Sequence, residues 1–180
     1  MRFLQIEPLP VADPEIGRWL WALEETRKRT LNLSRGLAQN ILDWEGPDGS
    51  ENSIGTLLCH LAAVEMGWLH IDLLGREIPE EVMRNFPFSH DRDDEGRLVR
   101  VPGASFAEHE ARLHATRRIF LAEFRDMPVE RWRRLCKPME GDAYECTPEW
   151  VVFHLVEHEA GHAYQIAALK RRAGEHFGRR

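Results

Sequence analysis

The chain is poor in cysteine, in strand-like patterning, in long apolar runs and in surplus positive charge. Three cysteines in 180 residues are too few, and odd in number, for a disulfide framework. The N-terminus, Met1-Arg2-Phe3-Leu4-Gln5-Ile6-Glu7-Pro8, has no long apolar segment and no small-residue cleavage site, so no signal peptide is expected. Free thiols in a reducing, cytoplasmic setting follow. Lys and Arg number 24 against 30 Asp and Glu, a net charge of −6. That speaks against a sequence-independent hold on nucleic acid or anionic lipid. No apolar run approaches the roughly 20 residues that span a bilayer, so no membrane is expected as a partner. What remains is ordinary for a globular protein: 43% hydrophobic and 30% charged. One domain over residues 1–180, long enough to bury a core, is expected.

Helical signals dominate. Asp13-Pro14-Glu15 offers a cap, a proline at the first position and an acid in the first turn. Ile16, Leu20, Leu23, Thr30, Leu33, Leu37 and Ile41 recur at helical period, which predicts one helix to about Leu42. Gly46-Pro47-Asp48-Gly49-Ser50 marks a loop. Asn52 or Ser53 opens a second helix to about Leu74, with Leu57, Leu61, Val64, Trp68 and Ile71 on its stripe. Residues 75–104 carry Pro79, Pro87, Pro102 and Gly103 and little periodicity. A connection that long is usually functional, or crosses the molecule. Ser105-Phe106-Ala107-Glu108 fits a capping box for a third helix that ends before Pro128. A short helix over residues 129–135 and a turn at 137–142, with a small hairpin as one form, lead to the last helix. Thr147 and Pro148 open it and Gly174 is its expected end. The expectation is an all-α four-helix bundle with a long connection between helices 2 and 3, which permits two neighbouring helices to run parallel. The helix order stays open.

That last helix organises the chain. His154, His158 and His162 follow one another at a spacing of four and share one side. His60 lies on or beside the inward stripe of the second helix. An inward imidazole without a partner costs on the order of 1–3 kcal/mol. Several of them converging are best satisfied by a metal ion that takes one nitrogen from each ring while a second partner holds the other. His70, His90, His109, His114 and His176 carry no such pattern and read as surface or hydrogen-bonded residues. His158-Glu159-Ala160-Gly161-His162 also spells H-E-x-x-H, the zinc peptidase signature. The extended form needs a third histidine where Ala168 stands, and no strand offers an edge for a peptide substrate. The peptidase is the lesser alternative.

His60 within Ser53-Ile54-Gly55-Thr56-Leu57-Leu58-Cys59-His60-Leu61-Ala62, the His-x-x-x-His of the last helix, and Gln165 three residues beyond it together resemble the DinB/YfiT-like superfamily. The helix order and the long second connection extend the resemblance over most of the chain. It implies a four-helix bundle, often a homodimer, that holds a divalent ion, commonly zinc or nickel, on His60, His158 and His162. It also implies thiol-dependent isomerase or S-transferase chemistry with a low-molecular-weight thiol in some members. His154 falls outside that triad and is a candidate for the pocket wall or a supporting contact, with Gln165 and Glu65 as further supports. Glu157 and Glu159 flank the histidine face by about 100° and read as solvent-facing charge or dimer contacts.

Three neutral imidazoles leave an ion with an open position, which points to chemistry rather than structure alone. The leading expectation is an S-transferase or hydrolase acting on a small-molecule substrate. The alternative is a non-catalytic bundle locked by its metal. A thiol enzyme using Cys59, Cys136 or Cys146 is weaker. Cys59 points away from His60, and Cys136 and Cys146 flank a turn within reach of each other, although a buried small-residue role is the commoner fate. Trp19 and Trp68 fit inward positions. Trp21 lies off the stripe, at a possible dimer contact. Gly161 either lets another helix approach or leaves room over the metal.

Overall fold

The computed structural model describes residues 3–89, 91–139 and 144–178. The protein is all-α: among the described residues there are seven α-helices, one π-helical turn and no strand. Four long elements form the bundle: α1 (Pro14–Ser34), α3 (Ile54–Gly67) continued by the π-helical turn Trp68–Leu73, α5 (Phe106–Phe124) and α7 (Pro148–Phe177). Three short helices, α2 (Gln39–Leu42), α4 (Glu80–Met83) and α6 (Val129–Trp132), lie in the connections.

Local chemistry sets most ends. The Asp13 carboxylate accepts from the Glu15 amide, Ser53 Oγ from that of Thr56, and Thr147 Oγ1 from that of Trp150. At α5 both halves of the Ser105/Glu108 capping box are made. Each satisfies an amide that the first helical turn leaves open. The first helix stops short of its expected end: it finishes at Ser34, and Gly36 at φ +75° turns the chain. Leu37 and Ile41 still pack on the core from α2 and its approach, so the apolar period outruns the helix. The second helix changes to a π-helical turn over its last six residues. The last helix runs past Gly174 to Phe177. Ile54–Leu73, contrary to expectation, is long and apolar enough by length and composition to cross a membrane, but most of it is buried inside the bundle.

Contacts between helices fix the topology. Along α1 and α7, Trp19 meets Phe153, Arg27 meets Glu159, and Lys170 reaches the Leu33 carbonyl. Numbers rise together, so α1 and α7 run parallel. Gly55 abuts His109 and Glu65 meets Arg117, so α3 and α5 are parallel too. By contrast Arg27 reaches Leu113 and Arg117 reaches Leu23, which makes α1 and α5 antiparallel. Two parallel neighbours need a connection that returns the length of the bundle, and residues 74–105 supply it.

The core is in two parts. Ile16, Leu20, Leu23, Met66, Phe120, Phe124 and Val152 fill one end. Leu31, Ile54, Leu58, Leu113, Ile166 and Leu169 fill the other. Between them, at intermediate positions along all four long helices, lie Arg27, Glu65, Arg117 and Glu159, each under 5% exposed. Arg27 donates to Glu65 (3.1 Å) and Glu159 (2.9 Å). Arg117 donates to Glu65, to Glu159 (3.4 Å) and to Glu24 (2.6 Å). Burial alone raises the Glu65 carboxyl, and the guanidiniums of Arg117 and Arg27 more than reverse this and hold it below the usual carboxylate range.

This layer corrects two expectations. Glu65 is locked between arginines and does not line the pocket. Glu159 is buried rather than solvent-facing, whereas Glu157 is exposed. A methyl added at Gly161 meets nothing within 4 Å among the described residues, so none of the described helices needs the space. His70 and His109, read as surface or hydrogen-bonded, are both buried. Among the described residues neither ring nitrogen of His70 has a hydrogen-bond partner, and His109 accepts from Arg112 at Nδ1 (3.0 Å). His114 is exposed, His176 lies tilted against Trp44 (5.6 Å, 33°), and His90 lies outside the described residues.

Candidate metal centre

His60 from α3 and His158 and His162 from α7 meet across the antiparallel seam of these two helices. Ring centroids are 5.2 Å apart for His60 and His158, 5.1 Å for His60 and His162, and 4.4 Å for His158 and His162. One nitrogen from each ring lies within 4.8 Å of the other two. His60 is buried and the other two are half-buried.

The outer nitrogens are held. His60 Nδ1 donates to Asp91 Oδ2 (2.8 Å), and His162 Nδ1 donates to Gln165 Oε1 (2.9 Å). A ring whose Nδ1 carries the proton presents Nε2 as a lone pair. The Nε2 atoms of His158 and His162 are 3.1 Å apart. Two imidazole nitrogens on one tetrahedral ion at about 2.0–2.1 Å stand about 3.3–3.4 Å from each other. The donor set therefore suits a divalent ion in chemistry and in spacing.

Electrostatics agree. Burial, reinforced by His162 and His60, pushes His158 down to about 3. Burial also lowers His162, against the opposing pull of its bond to Gln165. Both rings are neutral at pH 7, the form in which imidazole binds metal. Asp91 is held below the usual carboxylate range, chiefly by its bond to His60. It stays ionised and keeps the His60 proton on Nδ1.

Asp91 is the residue that sequence reasoning missed. It lies in the long connection, where no helical period points inward. A small turn positions it: Val99 N–H donates to the Asp91 carbonyl, Arg92 pairs with Leu98, and Gly96 at φ +76° closes the loop with its amide on the Asp93 carbonyl. The one available signal was the length of the connection, which marked it as either functional or a crossing of the molecule without naming a residue.

The profile of the DinB superfamily matches residues 22–166. The chain belongs to the DinB superfamily. No curated protein matches it. The matched range contains every residue of the histidine cluster, Asp91 and Gln165. In this DinB-superfamily chain the cluster opens on one side into a cavity of about 1040 Å³. His60, His158 and His154 form its polar floor, and Trp68, Ile71 and Phe86 give it apolar walls. The π-helical turn carries Trp68, Ile71 and Asp72 to this wall. His154 stacks flat on Trp150 (5.1 Å, 2°) and lies edge-on to Trp68 (4.9 Å). It lines the cavity and is not one of the converging rings.

The H-E-x-x-H string does not make a peptidase site here. Glu159 Oε1 accepts from Arg27 and Oε2 from Arg117 in the charged layer. A general base must have a lone pair within reach of the reacting water, and this carboxylate is committed elsewhere.

Proposed function

We propose that this protein is a metal-dependent enzyme of the S-transferase or hydrolase type, with a divalent ion, zinc or nickel, held by His60, His158 and His162. The observation that carries the reading is the convergence of three imidazoles at the base of an open, largely apolar cavity. Such an ion supplies Lewis acidity, lowering the pKa of a water or thiol that reaches it. The residues of the chain do the rest. Asp91 and Gln165 fix two of the rings in the tautomer that presents Nε2. The Trp68 and Phe86 walls exclude water and bind the apolar body of a small-molecule substrate, and His154 offers a ring nitrogen beside it. A low-molecular-weight thiol is the co-substrate we assign in the transferase form. A cytoplasmic setting suits such a thiol, and a second copy of the chain is the protein partner we assign.

The alternative is a metal that merely ties α3 to α7. The charged layer argues against it, because Arg27 already bridges Glu65 of α3 to Glu159 of α7. The fold has its own fastening at that seam. The test is to strip the metal with chelator, follow thermal melting, and assay stripped and reloaded protein with a panel of small thiols and electrophiles and with simple esters. A folded apo-protein whose turnover returns with metal supports the enzyme. Collapse on stripping, with no turnover by the loaded protein, supports the tie.

A further inference from the structure

Cys136 and Cys146 both precede α7, ten positions apart in the sequence. They face each other as an antiparallel pair that exchanges both backbone hydrogen bonds: Cys136 N–H to the Cys146 carbonyl (2.7 Å) and Cys146 N–H to the Cys136 carbonyl (3.2 Å). Residues in such a pair stand about 5.5 Å apart at Cα, with both side chains on the same face. Disulfides accept Cα separations of about 4.4–6.8 Å. Both thiols are free. We infer that Cys136 and Cys146 form a reversible intramolecular disulfide that staples one wall of the cavity over the histidine cluster.

The chain between the two cysteines is joined to the π-helical turn. Met139 N–H donates to the Ile71 carbonyl (3.0 Å), Met139 lines the cavity, and the Tyr144 hydroxyl donates to Asp72 (2.5 Å). Ile71 and Asp72 line the same cavity. Both thiols are approachable. Cys136 is half-buried, and Cys146, though buried, borders a second hollow of about 420 Å³ between Trp68 and Trp150. Cys59 is 0% exposed inside the bundle and takes no part.

The oxidant is a small disulfide, RSSR. The Cys136 thiolate attacks one of its sulfurs and expels RS⁻, giving a mixed disulfide. The Cys146 thiolate then attacks the Cys136 sulfur and expels the second RS⁻. Each cysteine gives up one proton and each RS⁻ takes one up. The protein is oxidised by two electrons, and RSSR is reduced to two RSH. Burial holds both thiols above their ordinary pKa, so the exchange is best run at alkaline pH.

The test uses the full chain, first reduced, then incubated at about pH 8.5, where more of each thiol is ionised, with excess oxidised glutathione. The product is unfolded and its remaining thiols alkylated. Cleavage after Glu140 places the two cysteines in different peptides. The expected result is a protein lighter by two hydrogens, one alkylated thiol at Cys59, a linked peptide pair, and slower exchange of the Met139 amide. Cys136→Ser and Cys146→Ser should each stop at a mixed disulfide or at free thiol. Stable glutathione adducts on both cysteines of the unsubstituted protein, three alkylated thiols, or a link through Cys59 overturns the inference. Unchanged Met139 exchange in the linked protein overturns the stapling. None of these outcomes depends on the metal.

Discussion

Replacing Glu65 with alanine separates the structural from the chemical reading of that residue. The side chain is 1% exposed and receives Arg27 Nη2 (3.1 Å), Arg117 Nε and Thr116 Oγ1 (3.4 Å). In the wild type, two buried guanidiniums face two buried carboxylates, with the half-exposed Glu24 at the edge. The substitution leaves the two arginines sharing Glu159, one charge short. Breaking a buried ion pair from one side costs about 3–5 kcal/mol, a large share of the roughly 5–15 kcal/mol that holds a domain together. At about 2–4 °C per kcal/mol for a chain of this size, Tm should fall by about 6–20 °C. Glu65→Gln keeps part of the hydrogen bonding and should cost about 1–3 kcal/mol. Urea unfolding followed by circular dichroism measures both, and elemental analysis of the folded variants should show unchanged metal. An alanine variant within about 1 kcal/mol of wild type, or one that keeps its stability and loses metal, would refute the layer described here.

Asp91→Asn should lower metal affinity about 10–100-fold with the fold intact, because the partner that orients His60 is weakened; competition with a chromophoric chelator reads it, and unchanged affinity contradicts it. Gly55→Ala places a methyl 3.0 Å from His109 Nε2 and should cost about 1–3 kcal/mol, whereas Gly161→Ala meets nothing and should add up to about 1 kcal/mol through helix propensity; urea midpoints that rank the two the other way contradict the packing. The metal-free protein should lose stability as pH falls. His158 and His109 titrate near 3 and 4 when folded, against 6.5 unfolded, so below about 6.5 the unfolded chain binds protons first. The slope is about 1.4 kcal/mol per pH unit for each ring. Glu65, held below its ordinary 4.5, adds a loss once pH drops below that value, and a flat urea midpoint between pH 7 and 5 contradicts the histidine contribution.

Period and capping made the four long helices legible, because each buries one apolar stripe and opens on a side chain that accepts an amide. The end of α1 was hidden: Leu37 and Ile41 keep the period after the backbone has turned at Gly36, and period records which face is buried, not whether the helix is continuous. Helix direction was unreadable until Arg27 and Arg117 were seen reaching across the bundle. The same long-range pairing explains the misreading of Glu65 and Glu159. A charged residue one step off an apolar stripe reads as solvated, and only the arginines from α1 and α5 make its burial tolerable. The convergence of His60, His158 and His162 was legible because spacing of four and an inward stripe put imidazoles on facing sides of two helices. Asp91 was not, since a loop residue gains its position from backbone bonds that leave no repeat in the sequence.

The most direct measurement is elemental analysis of the purified protein beside His60→Ala and His158→Ala, each checked for folding. The account predicts about one divalent ion per wild-type chain, bound through three imidazoles, and its loss from both folded variants. Full metal content in both variants contradicts it.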